Sequence, residues 1–467
     1  MYTTPVNKNL YKFRFIKRGL LLRFFDVLFS LGGIVLIFNF TDSAYFSVFN
    51  PQSVIWLLTF VVYFLIIGEI FELYHSTKNA DTIILIRNIL LTTLITILLY
   101  LFTPKITPVL PSKRIEVFFL FIGITFPLIV WRLIHNALFY RDLFLKNIVF
   151  IGSEDEILKT MNLIEIFSLE HKVVVYISNK EIDYLKECIF YPYNSIELSS
   201  VVQKHKIRTI LISDLFDKSF SVGFSGQLIQ LFKKGVSIES FHEFNEKLSK
   251  RLSKKRFNDT FYNYFTISKY NQDSIYVGFI SVLDILISLF GISLLIMLIP
   301  VIMVLNLFFN KGPLFYSQDR IGHHGEVFKI YKLRTMRVGA EQGKALWASK
   351  NDIRATAFGH FLRKTRIDEM PQFINILKRE MNIIGPRPER PEFVEMLEAA
   401  LPYYGMRHVI KPGLTGWAQV EYPYANSIPD QEMKLRYDLY YIKERTPLLD
   451  FKIILKTINT VLFYKGY

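Results

Sequence analysis

Cysteine is almost missing from this chain of 467 residues: Cys188 stands alone. That excludes a disulfide within the chain and any cysteine-based metal site, and it leaves the redox compartment unreadable. Glycine is missing where a dinucleotide-binding fold would need it. The strand-like run Ile148–Ile151 ends in Gly152-Ser153-Glu154-Asp155-Glu156, one glycine for the backbone approach to a pyrophosphate and three acids that repel one. Lysine and arginine are missing from Ile275 to Phe309, the longest apolar run. A small-residue cleavage site is missing after the basic start (Lys8, Lys12, Arg14, Lys17, Arg18, Arg23), so the first apolar segment reads as a membrane span and not as a cleavable signal. Polar residues are scarce overall: 51% of the chain is hydrophobic, 16% is aromatic and mean hydropathy is +0.27. An ordinary soluble enzyme of this length is excluded, and part of the chain is expected in lipid.

What is present begins with four apolar segments, Phe24–Phe40, Ser53–Leu73, Ile83–Phe102 and Val117–Trp131. Each is near the length of about 20 residues that crosses a bilayer. Residues 1–145 therefore read as four transmembrane helices. Basic residues crowd before the first and after the fourth (Arg132, Arg141, Lys146), and Thr41 to Gln52 carries none, so both ends are expected in the cytoplasm. Lys105, Lys113 and Arg114 run against that rule. Over 146–250, β-branched runs (Ile148–Ile151, Val173–Ile177, Thr209–Ile212, Val236–Ile238) alternate with amphipathic stretches, which predicts a small Rossmann-like α/β domain with a parallel sheet. A basic linker over 251–274 follows. The apolar run at 275–310 is too long for one straight crossing at 1.5 Å per residue; a helix broken at Pro300 and returning to the same leaflet is favoured over a fifth span, because interior proline costs a helix about 3 kcal/mol.

Residues 311–467 read as a mixed α+β domain. Leu314–Gln318 and Val327–Leu333 flank Gly322-His323-His324-Gly325 as a hairpin whose second strand delivers Lys332 and Arg334. The two histidines are more simply turn residues than metal ligands. Asp368 and Glu369 lie ahead of a helix expected from about Pro371 to Glu380, with Phe373, Ile374 and Leu377 on one face, and Arg363 and Arg366 precede them. Gly385-Pro386-Arg387-Pro388 is a stiff turn that holds Arg387 in one orientation. Taken alone, this stretch is also what an acidic helix start beside a solvated basic face looks like. Leu435–Lys443 is a Tyr-rich amphipathic helix, suited to lipid headgroups or to a soluble core. A formal net charge of +15 in a membrane protein points to anionic headgroups and phosphate-bearing substrates, with nucleic acid not expected as a partner.

In chain order, Asp284 with Pro300, Gly312-Pro313, Gln318-Asp319-Arg320-Ile321-Gly322, Lys332-Leu333-Arg334-Thr335-Met336, Asp352-Ile353-Arg354, Gly359, Leu362-Arg363, Asp368-Glu369-Met370-Pro371-Gln372, Gly385-Pro386-Arg387-Pro388 and Lys411-Pro412-Gly413-Leu414-Thr415-Gly416-Trp417-Ala418-Gln419-Val420 resemble the bacterial sugar transferase family. These are the polyprenyl-phosphate hexose-1-phosphate transferases that start exopolysaccharide, capsule and O-antigen units. One departure is the basic pair usual shortly before the first aspartate, where this chain has Ile280 and Ser281. The resemblance implies a membrane α-helical bundle, a Rossmann-like domain and a mixed α+β catalytic domain with a re-entrant helix, in the inner membrane with catalysis on the cytoplasmic side. It implies Asp368 as nucleophile, Glu369 as a second catalytic group and Mg²⁺ ligand, and Lys332, Arg334, Arg363 and Arg387 as substrate-binding residues. The partners it implies are a UDP-sugar, polyprenyl phosphate, membrane lipid and other polysaccharide-assembly enzymes, with a homo-oligomer left open. A glycosyltransferase that releases UDP and a non-enzymatic nucleotide-sensing module are the alternatives.

Overall fold

The computed structural model describes residues 18–41, 52–75, 79, 81–108, 113–139, 145–168, 170–182, 185, 187–193, 196–213, 222–254, 257, 261–340, 353–422 and 425–463. The basic start before Arg18, most of the Thr41–Gln52 loop, Arg141, Asp352 and the Lys255–Arg256 end of the basic linker lie outside the described residues. Two compact units divide between Ser249 and Lys250.

In the first unit the apolar segments form α1 (Arg18–Thr41), α2 (Gln52–Ile70), α3 (Thr82–Leu101) and α4 (Arg114–Phe139). By length and composition α1, α3 and α4 are able to cross a membrane, while the apolar part of α2, Val54–Ile70, is shorter. Ile34, Phe60, Phe64, Leu85, Ile89, Ile124 and Leu128 fill the interior of this bundle. It also encloses an ion pair, Arg132 Nη2 to Asp26 Oδ2 at 2.6 Å, with both side chains buried. Trp131 Nε1 donates to the other oxygen of Asp26.

The alternating region follows as β1 (Lys146–Ile151), α5 (Glu154–Phe167), β2 (His171–Ser178), β3 (Ile189–Pro192), α6 (Leu198–Lys204), β4 (Thr209–Ile212), α7 (Val222–Lys233), β5 (Ser237–Ser240) and α8 (Phe241–Ser249). The sheet is all parallel, in the order β3-β2-β1-β4-β5. Strand β1 is central and buried on both faces, Ile148 and Phe150 in one core and Val149 and Ile151 in the other, which is why it reads as a continuous apolar run. Strand β3 was not expected, since it is a four-residue edge strand that Pro192 ends. Gly152 has a packing role: a Cβ there would lie 2.7 Å from the Cβ of Ser213.

The second unit is built along α9 (Ser274–Phe309), one helix of 36 residues started by Asp273, whose carboxylate accepts from the backbone of Ile275 and Tyr276. Pro300 lies inside this helical element and does not end it; an interior proline removes one hydrogen bond and bends a helix more often than it terminates one. One stripe of the helix faces the rest of the unit throughout its length. Tyr276 Oη donates to Asp450 at 2.7 Å, Asp284 Oδ1 accepts from Ile383 N at 3.3 Å, and Gly291 lets the Phe373 ring approach so closely that a Cβ would lie 2.3 Å from it. Further on, Ile302 packs with Leu333, Phe358 and Leu362. Asn306 and Asn310 then donate to the carbonyls of Gly312 and Arg334. The remaining faces are apolar and exposed, among them Phe279, Phe290, Met297, Leu307 and Phe308.

Next come the antiparallel hairpin β6 (Phe315–Ile321) and β7 (Val327–Leu333), α10 (Ala357–Lys364), a 3₁₀ turn (Ile367–Gln372), α11 (Phe373–Leu377), β8 (Asn382–Ile384), α12 (Pro391–Ala400), a second 3₁₀ turn (Tyr404–Val409), β9 (Gly413–Thr415), α13 (Trp417–Glu421), α14 (Ile428–Glu444) and α15 (Pro447–Leu462). Strands β8 and β9 pair in parallel. The structure decides the open question about the Tyr-rich helix: Tyr437, Tyr440 and Tyr441 of α14 are buried in one cluster with Trp417, so this face is core. Residues read from the sequence as a linker belong to this unit too. Leu252, Phe261 and Phe265 are buried against Leu397, Leu435, Leu439 and Ile442.

Candidate active site

The chain leaves α10 through Arg366, whose backbone is left-handed (φ 59°), and immediately winds into the 3₁₀ turn. Asp368 and Glu369 therefore sit within that turn, not ahead of a helix opened by Pro371. The expected helix over Pro371–Glu380 is shorter at both ends, running Phe373–Leu377, and its buried residues are Asn375 and Ile376 in place of the predicted apolar face. Winding starts early because Glu369 N already donates to Arg366 O. It stops early because Arg379 is again left-handed, with φ 62°. A five-residue helix has little dipole, so the field at the carboxylates comes from side chains. Asn375 ties this segment to β7, accepting from Tyr331 N and donating to Lys329 O.

Three elements converge on Glu369. Strand β7 brings Lys332 Nζ to 3.2 Å from Oε1, and the turn after β8 brings Arg387 Nη2 to 2.7 Å from the same oxygen. Arg366 Nη1 is 3.6 Å from Oε2. Burial alone pushes the Glu369 carboxyl up, but Arg387, Lys332 and Arg366 outweigh it and hold it well below the usual range. Asp368 has the opposite balance. It is buried, its Oδ1 has no hydrogen-bond partner among the described residues, and burial together with the adjacent Glu369 charge raises it to about 6 against the pull of Lys332, Arg366 and Arg363. Two neighbouring carboxyls are thus pushed apart, one a fixed anion and the other an anion with an unengaged oxygen near neutral pH.

Of the residues singled out from sequence, Lys332, Arg387, Asp368 and Glu369 come together. Arg363 lies at the rim: its Nε donates to Thr335 Oγ1 at 2.9 Å, and its charge reaches Asp368. Arg334 is placed differently. Its guanidinium donates to Pro313 O, to Met336 O and to both oxygens of Asn310, which fastens the end of α9 to β7. Sequence reasoning missed a second charged layer behind Arg387, made of Arg320, Glu389, Lys434, Arg407 and Asp438. Only the i, i+4 placement of Lys434 and Asp438 on α14 hinted at it.

No group of three or more His, Cys, Asp or Glu able to hold a metal occurs among the described residues. Mg²⁺ needs no such cage, since it keeps several waters and takes further ligands from substrate phosphates. The loosely paired Oε2 of Glu369 is a hard oxygen donor of the kind it uses, so the residues present fit a hard divalent cation that arrives with a phosphorylated ligand.

Residues 276–464 match the family described as bacterial sugar transferase. Among curated relatives, the UDP-N-acetylgalactosamine-undecaprenyl-phosphate N-acetylgalactosaminephosphotransferase of Aeromonas hydrophila is 42% identical over 180 residues, 38% of this chain and 43% of that protein. A protein of Bacillus subtilis named as a putative undecaprenyl-phosphate N-acetylgalactosaminyl 1-phosphate transferase is 43% identical over 143 residues, 31% of this chain and 79% of that protein. The UDP-glucose:undecaprenyl-phosphate glucose-1-phosphate transferase of Xanthomonas campestris is 37% identical over 207 residues, 44% of this chain and 40% of that protein. The match thus spans less than half the length of the Aeromonas and Xanthomonas proteins.

Proposed function

The chain belongs to the bacterial sugar transferase family, and from that premise we propose that it moves a sugar-1-phosphate from a UDP-sugar to polyprenyl phosphate, releasing UMP, as the first membrane step of exopolysaccharide, capsule or O-antigen synthesis. The observation that carries this reading is the buried, unpartnered Oδ1 of Asp368 beside a carboxylate already neutralised by Lys332, Arg387 and Arg366. Asp368 attacks the phosphorus that bears the sugar. The bond from that phosphorus to the bridging oxygen breaks, and UMP leaves with the oxygen. An oxygen of polyprenyl phosphate then attacks the same phosphorus, the acyl-phosphate bond breaks, and the Asp368 carboxylate is restored. Lys332 and Arg387 grip the diphosphate, the planar fork of Arg387 being the better match to phosphate geometry. Glu369 would hold Mg²⁺, which would supply charge neutralisation at the diphosphate.

A transferase that moved the sugar alone would release UDP, so product identity separates the two readings. Purified protein given Mg²⁺ and a panel of UDP-sugars, without lipid acceptor, is expected to exchange labelled UMP into one of them. Burial and the Glu369 charge raise the Asp368 carboxyl to about 6 in the metal-free protein, and since only the anion attacks, exchange is expected to fall as pH drops through the acid range. Exchange that strictly needs the lipid is the result that counts against the covalent route.

The catalytic unit is read as cytoplasmic, with α9 entering and leaving the same leaflet of the inner membrane. Support comes from the contacts of both helix ends, Tyr276 with Asp450 and Asn310 with Arg334, with one unit. Its exposed face is apolar in the manner of a lipid-embedded surface. The parallel sheet at 146–250 is read as a Rossmann-like scaffold without a dinucleotide site. A cysteine placed at His323 should resist an impermeant thiol reagent added to intact cells and react once the membrane is opened. Labelling from outside would overturn this orientation.

A further inference from the structure

The turn that presents Arg387 is held by its carbonyls, one after another. Pro386 O accepts from Gly413 N at 2.8 Å and Arg387 O from Arg407 Nη2 at 3.0 Å. Pro388 O accepts from Arg320 Nη1 at 3.2 Å, and Glu389 O from Ile321 N at 2.9 Å. Two of the four donors are charged side chains, and each is held in turn by a carboxylate. Arg407 Nη2 also donates to Asp438 Oδ2 at 2.8 Å, in a pair where both side chains are only 2% exposed. Its Nη1 donates to Tyr404 Oη. Arg320 lies 3.7 Å from Glu389 Oε2, and Lys434 Nζ donates to Glu389 Oε1 at 2.9 Å. Burial pushes the Glu389 carboxyl up, but Lys434, Arg407 and Arg320 together hold it down at about 2.

Breaking a buried pair is expensive because the surviving charge stays in low dielectric. A loop built on such pairs is therefore rigid, and proline on both sides of Arg387 leaves its backbone few alternatives. We propose that Arg407, oriented by Asp438, is a positioning residue: its fork fixes the Arg387 carbonyl, and through it the direction of the Arg387 guanidinium toward Glu369 and the substrate diphosphate. The catalytic contact is Arg387's; Arg407 acts only through it. Arg320 with Glu389 and Lys434 performs the same service one residue further on. This rests on the reading above that Arg387 grips the diphosphate, but not on the covalent step.

The test is a double-mutant cycle read by binding, in full-length protein carrying Asp368→Asn so that nothing turns over, with UDP and Mg²⁺ as the probe. Arg407→Lys keeps the charge but has no fork to span Arg387 O, Asp438 and Tyr404, and is expected to weaken UDP binding about tenfold. In an Arg387→Lys background the same change should weaken it less than about twofold, because the group being positioned is gone. A residue that merely supported the fold would give the same loss in both backgrounds, and that result overturns the proposal. Thermal unfolding is followed in parallel. Should Arg407→Lys unfold, Asp438→Asn, which leaves an acceptor in place, replaces it with the same non-additivity expected and the same additive result fatal. Failure of the Arg407-intact protein to bind UDP at all would overturn the diphosphate reading and this proposal together.

Discussion

Asp368→Asn is expected to abolish both UMP exchange and sugar-phosphate transfer, by several powers of ten, while leaving the protein at least as stable as before. The amide keeps the shape of the side chain and loses the nucleophile, and removal of a nucleophile produces losses of that order. The stability half follows from the sign of the shift. The carboxyl is raised to about 6 in the folded protein, so its favourable contribution is complete only below the unfolded value and is lost as pH rises through 6. At pH 7 the native enzyme therefore carries the cost of a buried anion, on the order of 2–3 kcal/mol for a shift of this size, and asparagine removes it. Activity measured beside thermal unfolding at pH 7 checks both halves. A variant that turns over normally would leave direct in-line transfer within a ternary complex as the better account, and a variant that loses activity because it melts would say nothing for a nucleophile.

Glu369→Gln, one residue along, is expected to lose activity by about two to three powers of ten and also to lose stability. Here the carboxyl is held well below its ordinary value by Arg387, Lys332 and Arg366, so its stabilisation is present above the unfolded value and fades only as pH falls through the depressed one. Neutralising it at pH 7 leaves three cations facing one another around an amide. A fully buried pair broken this way costs about 3–5 kcal/mol. Arg387 and Arg366 retain 29% and 36% of their side-chain exposure, so water screens part of that, and about 2 kcal/mol is the expected loss. On the roles proposed above, the kinetic loss would come from a weaker hold on the diphosphate and on Mg²⁺, and should appear in the UDP-sugar KM as well as in kcat. Adjacent carboxylates whose amide variants shift the melting temperature in opposite directions are the discriminating result; equal shifts would refute the division of roles.

Both outcomes depend on features legible to different degrees in the chain. Local chemistry needed only the sequence. The apolar lengths of α1, α3, α4 and α9, the alternation that makes β1, β2, β4 and β5, the hairpin around His323-His324 and the motif order from Asp284 to Val420 are properties of contiguous residues, where hydrophobic period and turn chemistry act directly. The acidic pair and its cationic company could be named for the same reason. Tertiary structure decided where charge is neutralised. Lys332 and Arg387, 37 and 18 residues from Glu369 along the chain, meet on one of its oxygens only because β7 and the turn after β8 pack on the 3₁₀ turn. Arg334, two residues beyond Lys332 and just past the end of β7, is drawn instead to the end of α9. Alternation along a strand puts residues two apart on one face, so a one-dimensional pattern cannot tell those fates apart; they diverge because β7 ends at Leu333 and the chain beyond it packs Arg334 against Asn310, Pro313 and Met336. The layer behind Arg387 was hidden for a related reason. Nothing in the sequence marks Arg407 or Asp438 for burial, and what buries them is the packing of α14 and the second 3₁₀ turn against the Pro386–Glu389 turn. Burial of a charge is a property of its surroundings, and those surroundings exist only in the folded chain.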